Sequence, residues 1–107
     1  MKGIIYVLTN PAMINLLKIG KTNRDSVTPR LRELFTTSVP IAFDCAYAEI
    51  VENNAEVEKA IHARFAKRRL LAGREFFLVT VPTVIKAIKP YEGSRNYEAL
   101  ECGNKHV

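Results

Sequence analysis

The sequence predicts a small α+β domain, a three-stranded antiparallel sheet flanked by helices. Three observations carry this. Two apolar, β-branched runs near the N-terminus are separated by a short polar connection, the pattern of an antiparallel pair. Two later segments repeat their apolar residues at helical spacing behind residues suited to open a helix. The chain has 107 residues, 48% of them apolar and 25% charged, which suits one globular domain with a core of its own.

The first strand is expected over residues 3–9, an apolar run closed by the turn signal Asn10-Pro11. Residues 16–20 form the second, and residues 10–15 connect the two. A helix follows. Asp25, Ser26 or Thr28 is placed to cap it and Pro29 fits its first turn. Val27, Leu31, Leu34 and Phe35 make its apolar stripe, and Arg30 borders that stripe. Beyond Pro40, residues 43–51 read as the third strand. Asn53-Asn54-Ala55-Glu56 resembles a capping box and opens a helix expected to reach about Arg69, with Val57, Ile61 and Phe65 facing inward. Glu58, His62 and Arg69 then lie along one edge of that helix.

Gly73 breaks the chain, and residues 74–79 read as a short strand or an extended packing segment; Glu75 is either near the pocket of the candidate residues or, the favoured reading, a structural pair with Arg74. Pro82 starts a last helix over residues 83–89, and Pro90 stops it. The domain is expected over residues 1–90, with a polar, loosely ordered tail over 91–107.

Several classes are excluded. No apolar run approaches the ~20 residues of a membrane span, and the N-terminus lacks the pattern of a secretory signal. Cys45, Cys102, His62 and His106 do not have zinc-site spacing. Two distant cysteines predict free thiols in a reduced, cytoplasmic protein. The net charge of +5 is uneven: residues 1–42 carry +4, residues 43–60 carry −4, residues 61–74 carry +5 and the remainder is neutral. Two basic blocks around an acidic band favour a polyanion partner.

The assembled motifs resemble the GIY-YIG nuclease superfamily. Ile4-Ile5-Tyr6 stands for its first motif, with Gly3 one position early, and Lys18-Ile19-Gly20 for its second, eleven residues later. Within the superfamily the chain is most similar to a small phage- and bacteria-associated branch, the meiotically-up-regulated-type domain. That branch shows Lys-Ile-Gly-Lys-Thr, Arg-Leu-x-Glu-Leu, Glu-x-x-x-His-x-x-Phe and Arg-Glu-Phe-Phe, matched here at residues 18–22, 30–34, 58–65 and 74–77. The resemblance spans residues 3–88.

It implies a small antiparallel sheet bearing helices, and a metal-dependent DNA endonuclease using Mg²⁺ or Mn²⁺. The implied catalytic set is Tyr6, Lys18, Arg30, Glu58 and His62, with Glu58 on the metal. The chemistry suits these residue types. Mg²⁺ keeps several waters and needs only one or two carboxylates. Arg30 is able to grip a phosphate oxygen bidentately, and Lys18 to act as a point charge. Tyr6 is expected to orient or deprotonate the attacking water. A free phenol has a pKa of ~10, so Lys18 and Arg30 are expected to lower it. His62 would relay a proton or hold the scissile phosphate. Lys21, Arg64, Arg68 and Arg69 are candidate contacts to the nucleic-acid backbone.

The second Tyr of the motif is Lys18 here, and its first Gly is Ile4. Two functions therefore stay open: an endonuclease, or a nucleic-acid-binding module without turnover. A protein-interaction domain is a third. In so short a chain, specificity would come from a homodimer or a protein partner, or be low.

Overall fold

The computed structural model describes residues 2–37, 39–70 and 75–91. Strand β1 (Gly3–Thr9) is apolar on both of its alternating faces and is buried from Gly3 to Leu8. A strand of that composition needs cover on both sides and a neighbour on each edge. It has them. β2 (Leu17–Thr22) and β3 (Asp44–Val51) both pair with it antiparallel, and the sheet order is β3-β1-β2-β4.

The sheet has four strands, not the three expected. The fourth, β4 (Phe76–Phe77), pairs Phe76 with Lys18 and Phe77 with Leu17. Two residues are too few to show an alternating pattern in sequence. Backbone bonds from Leu70 N–H to Phe76 and from Leu78 N–H to Arg68 bring the chain around 68–70 alongside β4.

Helices cover both faces. Helix α1 (Thr28–Leu34) packs Leu31 and Leu34 against Ile4, Tyr6, Leu8, Val27 and Phe43. Its cap position is Val27, which makes no side-chain capping bond, so none of the expected polar caps acts as one; Pro29 does sit in the first turn. Phe35, expected on the inward stripe, is 54% exposed because the helix has ended at Leu34.

On the opposite face, α2 (Asn54–Arg64) and α3 (Val81–Ile88) bury Val57, Ile61, Val84, Ile85, Ala87 and Ile88 against Ile5, Val7, Ile19, Tyr47 and Phe77. Each large aliphatic so buried contributes about 1.5–3 kcal/mol. The Asn53 side chain accepts from Glu56 N–H, as the capping signal predicts. The helix ends at Arg64 rather than near Arg69; a 3-10 turn, Ala66–Arg68, follows.

Pairing of β1 with β3 shifts register between Val7 and Leu8, where Ala46 is passed over. This bulge lets Tyr47 pack with the α2 face while Cys45 packs with the α1 face. No free cysteine occurs among the described residues, so Cys45 is not the free thiol expected of it. Spacing along the chain carries no information on which sulfurs meet in space. Cys102, His106, Arg74 and the expected tail beyond Tyr91 lie outside the described residues. No helix among the described residues is long and apolar enough to cross a membrane.

Candidate functional site

The site begins where a side chain is missing. Tyr6 on β1 faces Gly20 on β2, and its ring lies across that glycine. A Cβ at Gly20 would stand 2.5 Å from the Tyr6 hydroxyl oxygen and 2.6 Å from two ring carbons. The phenol thus crosses β2 instead of standing off the sheet. There it accepts a hydrogen bond from Arg30 Nε of α1 at 3.2 Å. Arg30 is held from its other side by Glu33, 3.3 Å away, which also takes Arg24 at 2.7 Å. Bonds from Arg24 and then Arg30 keep the Glu33 carboxyl below the usual carboxylate range.

Burial pushes the Tyr6 phenol above its ordinary pKa, and the hydrogen bond and charge of Arg30 only partly oppose it; the charges of Glu75 and Glu58 add to the rise. The expected lowering by Lys18 and Arg30 is therefore corrected. Desolvation dominates, which is invisible in a linear sequence. Tyr6 is a neutral phenol at neutral pH. Its oxygen accepts from Arg30, and its own O–H is left to donate.

Lys18 faces the same way as Tyr6, between Leu8 on β1 and Phe76 on β4. Its ammonium lies 5.3 Å from the centre of the Phe76 ring and 2.9 Å from Glu75 Oε1. Its side chain is only 9% exposed.

Glu58 and His62 belong to α2, on the other side of the sheet, yet they reach the same place. Pairing of β4 with β2 is confined to Leu17 and Lys18. Beyond it, Ile19 gives its N–H to the Glu75 carbonyl and receives His62 Nε2 on its own carbonyl at 2.9 Å. A carbonyl only accepts, so Nε2 carries the proton, and Nδ1 is the atom at which neutral His62 takes one up. The His62 ring packs 5.0 Å from that of Phe77. One turn earlier, half-buried Glu58 has its pKa raised by burial first and by the Glu75 charge second, against the opposing pull of His62, Lys21 and Lys18. Four charged groups thus bear on Glu58 through space.

Among the described residues no group of three or more His, Cys, Asp or Glu side chains is placed to hold a metal ion. The candidate ligand is one carboxylate, Glu58; burial and then the Glu75 charge raise its pKa, but Glu75 is itself ion-paired with Lys18. One carboxylate does not fit zinc, which takes three or four protein ligands. It fits Mg²⁺, which keeps most of its waters.

The chain matches the family model of the T5orf172 domain over residues 3–92. It belongs to the T5orf172 domain family. This finding overturns the GIY-YIG resemblance, because T5orf172 is a different family. T5orf172 is a domain found in nuclease-like and DNA-binding proteins. No curated protein and no solved structure matches the chain significantly.

Within this T5orf172 domain, Tyr6, Lys18, Arg30, Glu58 and His62 come together. Lys21 is exposed on β2, within electrostatic reach of Glu58. Arg64, Arg68 and Arg69 form a separate group around the end of α2 and the outer side of β4: Arg64 and Arg68 are exposed, and Arg69 lies 5.5 Å over the Phe77 ring. Sequence reasoning under-weighted Glu75, favouring a structural pair with Arg74 over a place near the site; it faces Lys18. It also missed Glu33, although Glu33 lies three residues after Arg30 on one helix, a readable pairing distance.

Proposed function

We propose that this domain binds a nucleic-acid backbone at the open edge of β2 and hydrolyses its phosphodiester bonds with a divalent metal. One observation carries the reading: four elements deliver a phenol, two cations, a carboxylate and an imidazole around the middle of β2, with Arg30 bonded to Tyr6, His62 to the Ile19 carbonyl, and Glu58 within the electrostatic reach of both Lys18 and His62. Each has work to do on a phosphodiester. Arg30 and Lys18 neutralise phosphate oxygens. Tyr6 donates its O–H to orient a water or a phosphate oxygen, a role that fits its raised pKa where that of a base does not. His62 takes up or releases a proton at Nδ1. Glu58 would hold Mg²⁺, which when bound supplies positive charge to the phosphate.

The test is cleavage of supercoiled plasmid with Mg²⁺ against EDTA, for the wild type and for Glu58→Gln. Nicking in Mg²⁺ alone, with a loss of at least about 100-fold in the variant, is the expected result. Equal cleavage by the variant would trace the activity to a contaminant and overturn the assignment. A second reading, binding without turnover, draws support from the Lys18 ammonium, which already has a counter-ion in Glu75. DNA bound with a steep salt dependence but left intact would establish it.

A further inference from the structure

We propose that Glu75 is a positioning residue: it holds the Lys18 ammonium in place at the open edge of β2, so that an arriving phosphate meets a fixed cation. The inference rests on the reading that this face takes a nucleic-acid backbone.

A lysine on a strand ordinarily carries its flexible stem out to water and samples many rotamers. Lys18 does neither. Its side chain is nearly buried, between Leu8 and Phe76, and its Nζ is fixed by Glu75 Oε1 at 2.9 Å. The Phe76 ring at 5.3 Å supports the same position.

Glu75 is itself anchored. Its carbonyl takes the Ile19 N–H at 3.1 Å, and the next two residues are β4. The carboxylate therefore projects from backbone tied to the strand that carries Lys18. An ammonium has three N–H donors and Glu75 uses one, which leaves donors for a phosphate oxygen. The pair spans 57 positions of sequence, so the contact is made by the sheet. Glu75 touches no substrate in this scheme and acts through Lys18.

The experiment measures binding of a short fluorescent DNA duplex across a salt series. It compares wild type, Lys18→Met, Glu75→Ala, Glu75→Gln and the double variants, each checked by its melting midpoint. In the wild-type background Lys18→Met should weaken binding about tenfold and lower the slope of log affinity against log salt by about 1. In the Glu75→Ala background the same change should cost less than about twofold, since the cation is no longer held. Glu75→Gln keeps an oxygen to accept from Nζ and should retain most of the Lys18 effect.

A Lys18→Met penalty that is the same with and without Glu75 would overturn the inference alone. So would Ala and Gln tightening binding alike while the penalty stays intact, because Glu75 would then act only as a repelling charge. Failure of the wild type to bind at low salt would overturn the functional reading and the inference together. A second readout needs no Glu75 variant to fold. An exchange-protected ammonium signal in ¹H–¹⁵N spectra, present in wild type and absent in Lys18→Met, is expected from a held Nζ, and its absence from wild type would also overturn the proposal.

Discussion

The two faces of the sheet are built from the same strands and differ in what fills them. Under α2 and α3 the alternate residues Ile5, Val7, Ile19 and Phe77 join one continuous apolar core, with the His62 ring against Phe77. Under α1 the other alternates are Tyr6, Lys18 and Gly20, and the helix above adds Arg30. One face is filled mainly by methyl groups and rings, with one buried carboxylate, Glu49, that accepts from the Tyr47 hydroxyl. The other interrupts a smaller core with a phenol, an ammonium and a guanidinium. Period-two alternation along β1 and β2 thus sorts fold from chemistry, residue by residue. Helix α2 links the two, with Val57 and Ile61 turned into the filled face and Glu58 and His62 toward the opening at β2.

The largest effect that would break this division comes from the filled face. Ile88→Ala empties a fully buried position of α3 and should cost about 2–5 kcal/mol, lowering Tm by about 10 °C or more. Nucleic-acid affinity of the fraction still folded should hold, and a matching loss of affinity would show that the faces are not separable. Gly20→Ala acts on the other side. Its Cβ would displace the Tyr6 ring, at a cost of about 1–3 kcal/mol, and should also part Tyr6 from Arg30. Calorimetry paired with the binding titration checks it. A stability loss with unchanged affinity would reduce Tyr6 to a packing residue.

The smallest effect has the opposite sign. Burial raises the Glu58 pKa above its unfolded value, so the folded chain binds that proton more tightly than the unfolded one. The ionised carboxylate then destabilises the fold in full above its folded pKa, and the penalty fades as pH falls toward the unfolded value of ~4.3. Glu58→Gln should raise Tm at pH 7 by about 1–3 °C, with the gain vanishing on acidification. A loss of stability instead would mean that Lys18, Lys21 and His62 outweigh burial.

Much of this was legible in the sequence. Strand β1, the antiparallel pairing of β1 with β2, the Asn53 cap and the position of Arg30 beside an apolar stripe follow from local pattern, and each is found. The rest depends on distance in space. A two-residue strand has no periodicity to detect, and so β4 and its carboxylate neighbour Glu75 were not placed beside Lys18. The direction of the Tyr6 shift needed its burial, which a residue list does not contain. The overrun of α2 toward Arg69 arose because a basic run carries no stop signal, and the helix closes at Phe65 by contacts with Phe77 and its neighbours.

The short reach of β4 along β2 has another consequence. An incompletely paired sheet edge is a template on which a stray strand can add and start aggregation. Here the outer border beyond Lys18 carries the exposed Lys21 and is overlooked by the charged flank of α2. A second β-strand would have to desolvate those charges to dock. On the proposed function, the cations that would attract a polyanion would also make this stretch of β2 costly for a second strand to cover.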